Sequence, residues 1–155
     1  MDTAEATVKR SGSEEKDAVL DEVSAVYRTL EQRPVERDCV RRTECCRFKL
    51  TGMVPYLTRG EAMVAAKAVR RMGRTTLPAR EDGACPLLDA KGKCLIYDGR
   101  PFGCRTHFCG AAGGPYARSE VLDLIRRLEE ADQRLGGDGP RPLPGAVAWA
   151  LRNLR

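Results

Sequence analysis

Seven cysteines are the residues of this sequence best suited to chemistry, and all of them lie in the central part of the chain. They are Cys39, Cys45, Cys46, Cys85, Cys94, Cys104 and Cys109. Each falls in or beside a predicted loop, and loops rich in glycine and proline can direct several sulfur atoms toward one point. Soft thiolates that converge in this way bind zinc or iron–sulfur clusters. The spacing therefore predicts a metal centre.

A disulfide framework fits these cysteines less well than metal ligation. The count is odd, and Cys45 and Cys46 are adjacent, so that a bridge between them would close a strained ring. The first residues carry no apolar core of the length that a secretory signal needs, and no segment has the roughly 18 to 20 apolar residues of a membrane span. We expect a cytoplasmic protein with reduced cysteines.

Two residues beside the cysteines are candidates for auxiliary roles. Arg105 directly follows Cys104, and its cation would offset the negative charge of thiolates around a metal. His107 is the only histidine and lies between Cys104 and Cys109, where an imidazole can ligate metal or hydrogen-bond a ligand sulfur. A solvent-exposed arginine and an uninvolved histidine are the alternatives.

Other function classes have little support in the sequence. There is no HExxH, GxGxxG, Walker loop or nucleophile elbow, so any enzymatic chemistry would centre on the metal or on free thiols. The formal charge is +5, but basic residues are scattered among acidic ones along predicted helices, which argues against nucleic acid binding. The partner or substrate, expected to be another protein, is not identified.

Apolar periodicity predicts four helices that position the cysteine loops. The first runs from Asp17 to about Gln32, with an apolar face of Leu20, Val23, Val26, Tyr27 and Leu30. The second is capped by Thr58, with Glu61 completing a capping box, and ends at Gly73. The third is predicted to be capped by Ser119, and a short terminal helix spans about 145–153. Only RFKL and KCLIY have strand character, and PRPLP is interpreted as a stiff connector in preference to a polyproline ligand.

These elements predict a small, mainly α single domain of about four helices, with irregular cysteine-rich metal-binding loops and little β structure. Residues 1–15 are expected to be a disordered tail, because they are polar and lack periodicity. The helical metal-binding domain spans 16–135 with its cysteine core at 39–109, and residues 136–155 form a linker and the C-terminal helix.

The cysteine pattern resembles the YkgJ-like cysteine-cluster family, whose zinc- or iron-chelating domain is named for a CxxCxxCC motif. The resemblance rests on C-x5-CC followed by CPLLDAKGKCLIYDGRPFGCRTHFC, over about residues 39–109, and its second half is the more specific. The opening motif departs from the family pattern, because Arg42 stands where the second family cysteine would be. The ligand shell therefore either dispenses with that thiol or is completed by Cys109 or His107.

The resemblance implies zinc or iron, with a [4Fe-4S] cluster among the alternatives, and three functions are considered for such a cysteine set. The first is a binding or structural module in which the metal organises the loops. The second is an iron–sulfur redox or protein-modifying enzyme component, since a similar pattern occurs in flagellin lysine N-methylase. The third is a metal carrier. The chain has no recognisable methyl-donor site, and the sequence does not decide whether it is an enzyme.

Overall fold

The computed structural model describes residues 12–33, 54–78, 84–88, 94–106 and 117–154. Within these ranges there are five helices, four of them of seven residues or more, and one two-stranded sheet. The helices are α1 (Gly12–Glu31), α2 (Arg59–Arg71), α3 (Phe102–Thr106), α4 (Leu122–Arg134) and α5 (Leu143–Asn153). The strands are β1 (Tyr56–Leu57) and β2 (Arg141–Pro142). The predicted mainly α fold with little β structure is confirmed.

Helix α1 begins earlier than its apolar pattern suggested. It starts at Gly12, so residues 12–15, which the sequence assigned to the tail, are helical; Glu14 and Glu15 in the first turn suit the positive end of the helix dipole. Its apolar face is buried as predicted. That face comprises Val19, Leu20, Val23, Val26, Tyr27 and Leu30.

Helix α2 has the ends that its sequence predicts. The Thr58 hydroxyl accepts from the Glu61 N–H, while the Glu61 carboxylate accepts from the Thr58 N–H, which completes the capping box. At the other end Gly73 has a φ of 82°, a left-handed conformation that glycine adopts without a Cβ penalty, and its N–H donates to Arg70 O.

The predicted caps of the last two helices are less accurate. Ser119 does not cap α4, because Arg118–Glu120 forms a 3-10 turn and the helix starts after Val121. Helix α5 starts at Leu143, two residues before the predicted start, with a proline in its first turn where no intrahelical N–H is required.

Neither of the observed strands was suggested by the sequence. β1 pairs antiparallel with β2, so that Tyr56 opposes Pro142 and Leu57 opposes Arg141. The PRPLP connector thus supplies β2 and the start of α5. KCLIY is not a strand: Cys94 forms a single antiparallel bridge with Leu88, and Tyr97–Gly99 is a 3-10 turn. RFKL lies outside the described residues.

The helices enclose two neighbouring apolar cores. The first, here the α2–α5 core, joins those two helices to the loop residues around Cys85, and Cys94 and Cys104 pack against it. The second, the α1–α4 core, contains Phe102 and apolar residues of α1 and α4, including Tyr27 of α1. Burial of these aliphatic side chains is the main stabilising contribution that the described residues show.

Asp132 is buried in α4, and its carboxylate links this helix to α2 and to the loop before β2. Its carboxylate accepts from the Arg59 N–H at the start of α2, at 2.8 Å, and from the Gly139 N–H in the loop before β2, at 3.0 Å. An anion beside the first N–H of α2 is also favoured by the dipole of that helix. Asp132 therefore fixes the relative position of α2, α4 and the β2 loop.

Candidate metal centre

Three of the seven predicted ligands lie in the described residues, and two of them are brought together by a short backbone pairing. Cys85 is in a turn closed by the Leu88 N–H donating to Cys85 O at 3.0 Å. The bridge between Leu88 and Cys94, with the Leu95 N–H donating to Leu87 O at 2.8 Å, places the Cys94 segment alongside this turn. Cys85 is buried and Cys94 is half-buried.

Cys104 reaches the same core from helix α3. This five-residue helix begins after Pro101, whose carbonyl accepts from the Cys104 N–H at 3.1 Å. Cys104 is half-buried and packs against the α2–α5 core, as Cys94 does. The three described cysteines thus come from three short segments and lie in or against one core.

The three thiols do not by themselves complete a metal site. Among the described residues no group of three or more histidine, cysteine, aspartate or glutamate side chains is arranged to hold a metal ion. Cys39, Cys45, Cys46, His107 and Cys109 lie outside the described residues, so the predicted ligand set stays a prediction. The donor type that the structure does describe, cysteine sulfur beside an apolar core, fits zinc or an iron–sulfur cluster.

Arg105 directly follows Cys104, but its guanidinium forms hydrogen bonds to backbone carbonyl groups. The side chain is buried, with Nε donating to Arg100 O at 2.7 Å and Nη2 donating to Asp98 O. Nη1 donates to the Glu31 carboxylate at 2.8 Å, and the cation lies 4.1 Å from the centroid of the Tyr27 ring. Arg105 therefore joins α3 and the 98–100 loop to α1, a role that adjacency to Cys104 did not predict.

Glu61 binds Phe102, which lies just after the 98–100 loop that Arg105 contacts. Its Oε2 accepts from the N–H and the hydroxyl of Thr58, both at 2.9 Å, and its Oε1 accepts from the Phe102 N–H at 2.8 Å. The Phe102 N–H is at the start of α3, where it has no intrahelical partner. One carboxylate thus caps α2 and holds the first residue of the helix that carries Cys104.

The Glu61 carboxyl is in an environment that disfavours its charge. Burial raises the pKa of Glu61, and this outweighs the opposing hydrogen bonds from Thr58 and Phe102. Burial also raises the pKa of Tyr27, whose hydroxyl approaches Glu61 closely enough for the two groups to influence one another. The buried Tyr27 hydroxyl has no hydrogen-bond partner among the described residues.

Sequence reasoning missed the roles of Tyr27 and Glu61 in this site. Tyr27 was assigned to the apolar face of α1, and Glu61 was recognised only as half of a capping box. The signal for Glu61 was present, because a capping carboxylate has a second oxygen with free acceptor capacity. Its second partner, Phe102, is 41 residues away in sequence and could not be inferred from local pattern.

A protein-family model matches the cysteine-rich part of the chain. Residues 37–122, just over half of the chain, match the CxxCxxCC family model, described as a putative zinc- or iron-chelating domain. The chain belongs to the CxxCxxCC family. The CxxCxxCC match includes all seven cysteines and extends beyond them into the start of α4. No curated protein and no solved structure matches the chain.

The CxxCxxCC family is described as a zinc- or iron-chelating domain, and family membership indicates this function for the chain. The match covers the three described cysteines, Arg105 and Glu61, so the backbone contacts described above belong to the family domain itself. In the parts of the chain that the structure describes, no helix is long and apolar enough to cross a membrane.

Proposed function

We propose that this CxxCxxCC domain is a metal-binding module in which cysteine thiolates hold zinc or an iron–sulfur cluster and so organise the loops between the helices. The single observation that supports this most directly is that Cys85 lies in the α2–α5 core while Cys94 and Cys104, from two other segments, pack against it. Further ligands would come from the cysteines outside the described residues. Structural metal sites of this kind stabilise folds that have small cores.

A structural role is supported by what the neighbouring polar groups do. Arg105 donates three hydrogen bonds, two of them to backbone carbonyls, and Glu61 accepts two backbone N–H groups. Side chains used in this way fix the loop segments between which a metal would sit, because they restrict where the sulfur atoms can move. The redox or modifying enzyme and the metal carrier stay predictions, as no described contact favours them.

The metal itself is identified by anaerobic purification followed by metal analysis and an absorption spectrum. Iron with sulfide and a brown colour would indicate a cluster, whereas a colourless protein with stoichiometric zinc would indicate a zinc site. Neither metal at a stoichiometric level, in protein prepared under reducing conditions with both available, would contradict the proposal.

Serine substitutions then test which of the described thiols ligate. We expect Cys85→Ser, Cys94→Ser and Cys104→Ser each to lower the metal content, because a hydroxyl is a poor ligand for soft metals. Ala84→Ser is the matched control: Ala84 is buried beside Cys85 and gains the same hydroxyl without losing a sulfur. Full metal retention in all three cysteine variants would refute a role for this half of the site.

A further inference from the structure

A cavity of about 620 Å³ lies between the C-terminal parts of α1 and α2 and the 94–99 segment. This volume is typical of pockets that bind small molecules. Part of its lining is apolar and belongs to α2 and to the residues that follow Cys94. This apolar wall consists of Val64, Ala68, Leu95 and Ile96.

Two arginines on the rim of the cavity have no partner among the described residues. Arg28 is in the last turn of α1 and Arg71 in the last turn of α2, and both side chains are exposed. The ion pairs of the described residues leave both out, whereas Arg105, also in the lining, is already bound to Glu31. Arg28 and Arg71 are therefore available to a ligand.

The charges of the lining favour an anion. Glu31 is paired with Arg105, so among the described lining residues Asp98 is the one carboxylate left to oppose Arg28 and Arg71. The C-terminal ends of α1 and α2 carry partial negative charge from their last carbonyl groups. Without Arg28 and Arg71 the helix ends would repel an anion, and recognition would depend on those two side chains.

We propose that this cavity binds a small amphipathic organic anion, with its apolar body against the apolar wall and its charged group between Arg28 and Arg71. The Tyr27 ring, held under the Arg105 cation, supplies a rigid aromatic surface in the same cavity. Cys94 is also part of the lining, so the bound molecule would lie beside a candidate metal ligand. The proposal does not depend on the metal, since no metal contributes to the contacts invoked.

Two fluorescent probes with the same skeleton test the charge requirement. Anilinonaphthalenesulfonate has an aromatic body with a sulfonate, and phenylnaphthylamine has that body without the charge. We expect the natively folded full chain, as isolated, to bind the sulfonate probe at one site and more tightly than the neutral probe. Amide shifts in a nitrogen-15 spectrum should fall in residues 24–31, 64–72 and 94–99, which line the cavity.

Arginine variants decide whether the cavity is the site. Arg28→Gln and Arg71→Gln should each weaken binding of the sulfonate probe by about 1.5-fold to fivefold, the range of one ion pair at an exposed position, and leave the neutral probe unchanged. Arg152→Gln is the matched control, because Arg152 is exposed in the last turn of α5 and is not in the lining. Equal affinity of the two probes, or equal effects of the three variants, would overturn the proposal.

Discussion

Replacing Arg105 by lysine separates two roles that the structure and the sequence assign to this residue. The sequence suggested that its charge offsets thiolates, whereas the structure shows its guanidinium bonded to two backbone carbonyls, to Glu31 and to the face of Tyr27. Lysine keeps the charge but cannot reproduce the planar fork of donors. Arg105→Lys therefore retains charge compensation and loses the backbone contacts.

The expected loss of stability follows from the contacts that lysine cannot make. The Glu31 side chain is 65% exposed, so its ion pair contributes little. The bonds to Arg100 O and Asp98 O are charge-assisted and contribute about 1.5 to 3 kcal/mol each, and one ammonium can keep one of them. Arg105→Lys should then lower the free energy of unfolding by about 2 kcal/mol, and Arg105→Gln by about 3 kcal/mol or more.

Urea denaturation at fixed metal content measures both variants, with Arg126→Lys, an exposed position on α4, as the control. If Arg105→Lys stays within about 0.5 kcal/mol of the parent protein while Arg105→Gln does not, charge is the important property and the assignment of Arg105 to the backbone is refuted. If both lose stability and bind metal more weakly, the fork of donors is what positions the cysteine segments.

Three further predictions concern the buried Glu61 carboxyl and two glycines. Because burial raises the folded-state pKa of Glu61 above its ordinary 4.5, the protonated form stabilises the fold, and this contribution is lost as pH rises through the raised pKa. The stability difference between parent and Glu61→Gln should fall as pH rises above about 4.5, and parallel pH profiles would contradict it. A Cβ at Gly137 would lie 2.2 Å from Asp132 Oδ2, so Gly137→Ala should destabilise by about 1 to 3 kcal/mol. Gly145→Ala, in α5 with nothing within 4 Å, should be neutral or stabilising by up to about 1 kcal/mol in the same denaturation assay.

The four long helices were predictable because the forces that form them are local. The apolar face of α1 and the capping box of α2 depend on residues three or four positions apart, which a sequence displays directly. The predicted start of α4 was wrong because that prediction also used only local residue preference. Ser119 is a good cap by residue type, but the 3-10 turn places Val121 at the cap position. Local preference did not include the turn.

The contacts that position the thiols could not be predicted, since they join distant parts of the chain. Helix α3 has five residues and no apolar period, and its first N–H is satisfied by Glu61. KCLIY has strand-forming residues, yet Cys94 finds only a single bridge partner in Leu88. A strand needs a neighbour of matching length, and sequence alone does not show whether one is present.

The division into two cores predicts how metal loss would spread through the fold. Cys85 is part of the α2–α5 core and Cys94 and Cys104 pack on it, whereas the α1–α4 core contains no cysteine among its described members. Helices α1 and α4 are also joined by ion pairs at 2.6 Å, Arg127 with Glu22 and Arg134 with Glu15. Metal removal should therefore loosen the cysteine segments first and leave the pairing of α1 with α4 largely in place.

Hydrogen exchange before and after chelation measures this difference directly. We expect amides in 84–88 and 94–106 to exchange at least tenfold faster without metal, and the central turns of α1 and α4 to change by less than about threefold. Equal acceleration in both regions would mean that the metal supports the whole fold as one cooperative unit, because global unfolding exposes every amide alike. No change in either region, with complete removal of the metal verified, would remove the structural role proposed for it. The comparison is informative because it measures the thiol segments and the helices in one sample, with α1 and α4 as an internal control.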